Sequence, residues 1–348
     1  MDSYSEEGLK SHIDMKEIKH LLIADIHLSS KDEEVKFSIL EQAIRMSRDL
    51  GAFVTILGDL FDKRVAVETE IIRRAQNIFV ANEKYLHIVV GNHDKVNEQD
   101  DSEDSPSILE NISRLHIVPA CDVHNKIGYI SYTANEETLR ERIKLVLKEG
   151  ARILMTHNDF RGFEMNSGVR SEKGYSRSLV KKFDRVYTGH FHKPSQMGNI
   201  TYIGNQYHCS FSDAGQKKRG VLITVRDGKV VEEELVKFKF PKFKKVIMEA
   251  NKSTKEIKDR ILKAKEKSEN VQVVLKGKRE DLIHIDYEEL KCEGVQVSVK
   301  PQKESPDDIP ESSGDDLGIF ENYCLSKRIN DHLSGVGMKL LTKARSDL

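Results

Sequence analysis

The chain has 348 residues, with 56 Lys and Arg against 57 Asp and Glu and a net charge of −1 when histidine is neutral. That balance excludes a histone-like basic protein and an acidic disordered one. With 38% hydrophobic and 32% charged residues, the composition is that of a soluble globular chain, long enough for two domains and a sizeable core. No run approaches 18 apolar residues, so no membrane span is expected, and MDSYSEEGLKSHIDMK lacks the apolar core of a signal peptide. Four scattered cysteines (Cys121, Cys209, Cys292, Cys324) form neither CxxC pairs nor a disulfide framework, which fits a reducing cytoplasm.

In chain order, HLLIAD (20–25) is an apolar run that stops at a carboxylate. Residues 33–50 place Phe37, Leu40 and Ile44 at helical spacing, and FVTILGD (53–59) reads as a buried strand. A helix near 66–83 precedes the strand run YLHIVVGNHD (85–94). Leu139, Ile143, Val146 and Leu147 mark a further helix, followed by ARILMTHN (151–158) and DRVYTGHFH (184–192). Strands alternating with helices imply an α/β layered domain on largely buried sheet. NITYIGN and GVLITVRDGKVVEEELV then read as strands, with a DG turn at 227–228. VIMEA, STKEIKDRILKAKEK, NVQVVLKGK and GVQVSVKPQ suggest a small α+β domain over 241–301 after a first domain of 1–240. Residues 302–316 carry six acidic groups against one Lys, with two prolines and one glycine, and read as a solvated linker. The segment 317–348 returns to helical spacing at Leu325, Ile329 and Leu333, and Gly335 and Gly337 are expected to break it. No internal repeat is found.

One pattern outweighs the rest: every buried-type strand run ends in metal-competent side chains. These are Asp25 and His27, Asp59, Asn92 and His93, His157, and His190 and His192. Sites in α/β folds form where loops converge at the carboxyl ends of strands. A lone D-x-H, GD-x-x-D or GHFH is commonplace; five strand ends carrying such groups in one chain are not. The set suits two divalent ions sharing a carboxylate, with the two oxygens of Asp59 available to bridge. Imidazole with carboxylate favours Mn, Fe or Zn over Mg or Ca alone, and the lack of cysteine argues against a structural thiolate zinc.

DIH, GDLFD, GNHD, a lone His after LMT, and GHFH together resemble the calcineurin-like metallophosphoesterase superfamily over residues 18–240. YIGN (202–205) and SFSDAGQKKRGVLITV (210–225) resemble more narrowly the SbcD-type nucleases, the nuclease half of the SbcC–SbcD repair complex. The compact length and sparse extra domain are similar to the recombination endonuclease subunits of large tailed phages. The resemblance implies a layered β-sandwich flanked by helices, with a small α+β capping domain and a C-terminal helical tail. It places one ion on Asp25, His27, Asp59 and His192 and the other on Asp59, Asn92, His157 and His190. His93 matches the family's unliganded histidine near the scissile phosphate, and Asp62 would orient it by a hydrogen bond or merely cap a turn. His157 follows Thr156 where many relatives carry Gly. The activity implied is duplex exonuclease and single-strand endonuclease action, with Mn²⁺ the first choice of metal and Mg²⁺, Fe²⁺ or Zn²⁺ as alternatives.

Nucleic acid is expected to meet local basic stretches, since the net charge is near zero. KFKFPKFKK (237–245) offers Lys237, Lys239, Lys242, Lys244 and Lys245 to phosphates and three phenylalanines to unpaired bases, or else is a strand with Phe inward and Lys outward. RSEKGYSRSLVKK (170–182) adds Arg170, Lys173 and Arg177, or is an ordinary solvated face. Without a helix-turn-helix or zinc-finger pattern, backbone binding without sequence preference is expected. In the resembled family a helical tail docks on the coiled coil of an SbcC-type ATPase, and the acidic tether before 317–348 suits that use better than a helix packing home. No G-x-x-x-x-G-K-[ST] occurs, so an ATPase would be a separate subunit. Dimerisation through the early helices stays open, as does a cellular or a viral source; in the latter case the compartment would be the host cytoplasm. The rivals are a stand-alone calcineurin-like phosphatase or cyclic-nucleotide phosphodiesterase, and a DNA-binding scaffold with a decayed site, against which the intact ligand positions argue.

Overall fold

The computed structural model describes residues 17–301 apart from 65, 98, 100, 101 and 165–168, so the expected linker 302–316 and tail 317–348 lie outside the described residues. The first half of the fold runs β1 (Ile18–Ile23), α1 (Glu33–Leu50), β2 (Phe53–Leu57), α2 (Thr69–Val80), β3 (Leu86–Val89) and β4 (Leu115–Ile117). It continues with β5 (Cys121–His124), β6 (Ile127–Ile130), α3 (Glu136–Lys148), β7 (Ile153–Thr156), β8 (Arg185–Thr188), β9 (Ser195–Met197) and β10 (Ile200–Tyr202). After β11 (Gly220–Arg226) and β12 (Lys229–Val236) come β13 (Phe243–Glu249), α4 (Thr254–Lys265), β14 (Asn270–Gly277), α5 (Arg279–Ile283) and β15 (Val295–Pro301).

Two six-stranded sheets face each other. One has the order β12-β11-β1-β2-β3-β4 and the other β5-β6-β7-β8-β10-β9. In each, four neighbouring strands run parallel (β1 to β4, and β6-β7-β8-β10), with antiparallel strands outside them. The period-two alternation of a strand explains the layering. Leu21 and Ile23 of β1, Val54 and Ile56 of β2, and Leu86 and Ile88 of β3 pack outward with Phe37 and Leu40 of α1 and Ile71 and Phe79 of α2. Their neighbours Leu22, Leu57 and Val89 point inward against Ile127, Tyr129, Ile153, Met155 and Tyr187 of the opposite sheet. On its other side that sheet packs Ile130, Leu154 and Val186 against Leu139, Ile143 and Val146 of α3. The result is helix, sheet, sheet, helix, the layered β-sandwich expected from the sequence.

Departures from the expectation are local. The helix read as 66–83 is shorter, Thr69–Val80. β4, β5 and β6 went unread because strands of three or four residues carry too little periodicity. The 237–240 alternation is not a strand: it lies between β12 and β13, where Pro241 lacks the N–H a ladder needs. The side chain of Gln42 instead takes both main-chain groups of Lys239, at 2.8 and 2.9 Å. The Asp227-Gly228 turn has positive φ at both residues (54° and 72°), the pattern that matches hairpin twist. β13, β14 and β15 form a three-stranded sheet with β14 central. By compactness the described residues divide into a large unit (17 to Met248, with Ser253–Val274 and Asp286–Ser298) and a small one of Glu249–Lys252, Leu275–Ile285 and 299–301. Cys121, Cys209 and Cys292 are unpaired thiols.

Two of the inward-facing strand histidines are buried, and they make the fold acid-sensitive. His20 is buried with Nδ1 3.0 Å from the Thr55 hydroxyl, and burial lowers its pKa to about 4. Burial, with the neighbouring histidines His20, His116 and His124, lowers that of His87 to about 3. An unfolded histidine titrates near 6.5, so the unfolded chain binds more protons as the pH falls below that value. Their contribution is therefore complete above about pH 6.5 and is lost toward pH 4. Linkage predicts a loss on the order of 2 kcal/mol per buried histidine by pH 5. Urea unfolding at pH 7.5 and pH 5 measures it, and His20→Phe is expected to flatten the pH slope; an unchanged slope would place the acid sensitivity elsewhere.

Candidate metal centre

The carboxyl ends of β1, β2 and β3 in one sheet, and of β7 and β8 in the other, open onto one place. There the loops carry Asp25, His27, Asp59, Asn92, His157, His190 and His192, the first five of them buried and the last two half-buried. Leaving β1, the chain keeps parallel pairing with the end of β2 through Asp25 N–H to Gly58 O (3.1 Å) and His27 N–H to Asp59 O (3.0 Å). Asp25, His27, Asp59 and His190 all have positive φ, between 52° and 83°. Non-glycine residues rarely tolerate that conformation, and such strain, about 1–3 kcal/mol each, concentrates at functional sites. Two glycines make the close approach feasible. A Cβ on Gly58 would run into the His157 ring, and one on Gly91 into the Asp59 carboxylate.

Asp59 is the hub. Its Oδ2 lies 3.2 Å from His157 Nε2 and 3.7 Å from His27 Nε2, while its Oδ1 accepts the His93 N–H at 2.9 Å. His27 Nε2 is 3.1 Å from His192 Nε2. On the other side, Asn92 Oδ1 lies 3.2 Å from His157 Nε2 and 2.9 Å from His190 Nδ1. Asp25 Oδ1 accepts the His190 N–H at 2.9 Å. His157 donates from Nδ1 to the Leu57 carbonyl (2.6 Å), which orients the ring and leaves Nε2 aimed inward, free to ligate once a cation displaces its proton. His93 likewise donates from Nδ1 to the main-chain carbonyl of Asp62 (2.9 Å). The Asp62 carboxylate instead faces His27 Nδ1 at 3.3 Å, so Asp62 reaches His93 through its backbone.

Electrostatically the cluster favours added positive charge. Burial raises the pKa of Asp25 to about 6, with the nearby Asp59 charge adding and His157 opposing. Burial opposes charge on His157, yet Asp59 outweighs it and lifts that pKa to about 9. The same partner holds Asp59 well below the carboxylate range in spite of its burial. Burial, helped by His157 and His27 respectively, lowers His190 to about 4 and His192 to about 3, leaving both neutral and able to ligate. The residues fit divalent cations on a specific observation: Asp25 Oδ2 is buried with no hydrogen-bond partner. Ligating atoms of Asp25, His27 and His192 lie within 4.8 Å of one another, as do those of Asp25, Asp59 and His157.

Sequence reasoning missed the residues that hold these loops. Asp94, fully buried, accepts N–H groups from Leu60 (3.3 Å), Phe61 (3.0 Å) and Gly91 (2.9 Å), tying the β2 and β3 exits together. Burial and the charge of Asp59 raise its pKa to about 7. Gln206 Oε1 takes the Ala24 N–H (3.2 Å) and the Tyr207 hydroxyl donates to the Ile26 carbonyl (2.9 Å), bracing the β1 exit from behind. Buried Lys218 donates to the His192 carbonyl (2.8 Å) and to Asn205 Oδ1 (2.5 Å), and pairs with Asp213 at 3.2 Å. The available signal was a buried-type run, YIGNQYH, dense in amides, and a lysine between two glycine turns.

None of the eight basic residues named for nucleic acid is among the side chains meeting around Asp59. Lys237, Lys239, Lys242 and Lys245 are exposed and Lys244 is half-buried. The phenylalanines between them are occupied: Phe238 is in the core under α1, Phe240 packs against it, and Phe243 stacks edge-on with Phe211 at 4.9 Å. Arg170, Lys173 and Arg177 are exposed, on a segment that folds back on the chain leaving His157 through the bridges Phe160 to Tyr175 and Glu164 to Arg170.

The chain is 26% identical over 209 residues to exonuclease subunit 1 of Enterobacteria phage T4, a match covering 56% of this chain and 61% of that protein, under two thirds of its length. A solved structure of Yfce, a phosphoesterase from E. coli, aligns over 63% of this chain and 100% of its own at 15% identity and a TM-score of 0.28. No helix among the described residues is long and apolar enough to cross a membrane. Residues 18–194, which carry every strand exit described above, match the calcineurin-like phosphoesterase model, and the chain belongs to that family.

Proposed function

We propose that this chain is a metal-dependent DNA nuclease, acting on duplex ends and single strands as the SbcD-like subunit of a double-strand-break repair or recombination complex. The observation that carries the reading is the pairing of a buried Asp59-centred ligand cluster with likeness to a protein named as an exonuclease subunit. Asp25, His27, Asp59 and His192 would hold one divalent ion and Asp59, Asn92, His157 and His190 the other, Mn²⁺ being our choice for both. Bound there, the ions would supply Lewis acidity to a phosphodiester and would acidify a water. The chain's own contribution is positional. Leu57 aims His157, Asp94 ties two strand exits, and Lys218 fixes the turn carrying His192. His93, held by its backbone N–H on Asp59 and its Nδ1–H on the Asp62 carbonyl, would in its imidazolium form present Nε2–H as the proton source for the departing oxygen.

In the same proposal residues 241–301 form the capping domain, and the exposed lysines of 237–245 with Arg170, Lys173 and Arg177 contact phosphates. The tail 317–348 carries the contact with an SbcC-like ATPase. Full-length protein with Mn²⁺ is expected to degrade linear duplex DNA from its ends, lose that activity in EDTA, and turn over phosphomonoesters poorly. Rapid hydrolysis of small esters with DNA untouched would replace the nuclease by a phosphatase.

A further inference from the structure

A second group of ligating side chains lies where the two sheets meet at their β4 and β5 edges. These strands are consecutive in the chain yet belong to different sheets, and their inward residues face one another. His116 of β4 and His124 of β5 bring their Nε2 atoms to 3.0 and 2.9 Å from a single oxygen, Oδ2 of Asp122 on β5. The two imidazoles cross at 5.0 Å. All three ligating atoms lie within 4.8 Å of one another, and the residues are between 29% and 44% exposed at their side chains, so an ion can enter.

Two features separate this group from a simple hydrogen-bonded cluster. First, His116 Nε2 is buried and makes no hydrogen bond despite its distance to Asp122. A tetrahedral site with bonds of about 2.0 Å has ligand-to-ligand edges of about 3.3 Å, close to the spacings seen here. Second, the floor beneath is lined by polar atoms without partners. His87, cross-strand neighbour of His116, lies with its ring 5.7 Å from His116 and 5.9 Å from His124, and its buried Nδ1 has no hydrogen bond. Tyr129, cross-strand from Asp122 and wholly buried, stacks on His87 at 5.1 Å with its hydroxyl equally unpartnered. Leaving such groups unsatisfied is costly, and a bound ion with its waters would relieve that cost.

We propose that His116, Asp122 and His124 bind a divalent transition ion of the zinc class, distinct from the catalytic pair, that staples the two sheets together at this edge. Two imidazoles and one carboxylate suit Zn²⁺, with water completing the shell. The test uses full-length protein carrying Asp59→Asn and His157→Gln, which takes the shared carboxylate and one imidazole from the catalytic centre, and Zn²⁺ alone as the probe. This protein is expected to retain one zinc equivalent through gel filtration and to melt at higher temperature with zinc than with chelator. Adding His116→Gln and His124→Gln is expected to abolish both effects. Should that variant not fold, Asp122→Asn, which keeps the size of the side chain, is expected to do the same. Zinc content or zinc-dependent melting that is equal with and without the cluster residues would overturn the proposal. In the otherwise unaltered chain, His116→Gln with His124→Gln is expected to leave Mn²⁺-dependent phosphodiester hydrolysis unchanged.

Discussion

His93→Ala is expected to keep two metal equivalents per chain while DNA cleavage falls by about 10²–10⁴-fold, the range for loss of a general acid. The expectation follows from which atoms His93 uses. Its contact with Asp59 is made by the backbone N–H, which alanine retains, so the hub carboxylate stays oriented. Its ring anchors through Nδ1 to the Asp62 carbonyl, leaving Nε2 with no structural task. A deoxyribose oxygen leaves as a strongly basic alkoxide and needs that proton; a p-nitrophenolate does not. The same variant should therefore retain much more of its activity on bis-p-nitrophenyl phosphate than on DNA. Equal losses on both substrates, or a lower metal content, would show that His93 serves the metal rather than the leaving group.

The strand exits were legible because each ends an apolar run abruptly in Asp, Asn or His, and a buried strand has no other reason to do so. The partition of those strands between two sheets was not. YLHIVV and ILMT read alike, and the crossing from one sheet to the other is made by β4 and β5, of three and four residues, whose inward faces carry histidine and aspartate instead of apolar side chains. Nor did the sequence reveal the supports. Asp94 reads as the last letter of a turn, and its role appears only when three N–H groups from two loops converge on it. Lys218 stands in a run of basic residues and reads as solvated, yet it is the one that turns inward to the His192 carbonyl and to Asp213. In KFKFPKFKK the alternation correctly assigned Phe inward and Lys outward but mistook the element, because Pro241 and the Gln42 amide, distant in sequence, decide the backbone pairing.

Asp59→Asn is expected to lose both ions and to reduce hydrolysis of every phosphoester to background, a larger effect than that of His93→Ala. The substitution keeps the size of the side chain and removes the charge shared by two imidazoles, His157 at 3.2 Å and His27 at 3.7 Å. An uncharged amide oxygen holds cations weakly, and the NH₂ at the other end would face either the His93 N–H, which needs an acceptor, or a cation. Because ions bind the folded chain, wild-type protein loaded with Mn²⁺ should melt at lower temperature in EDTA, whereas the variant, prepared with Mn²⁺ as its only metal so that the His116–Asp122–His124 site holds no zinc, should melt at one temperature with or without it. Metal analysis and a melting curve with and without chelator therefore read the same property independently. Retention of two equivalents would refute the bridging role of Asp59. Retention of one would confine Asp59 to a single ion, and the ligand set still filled would be identified by removing His192 or His190 in the same background.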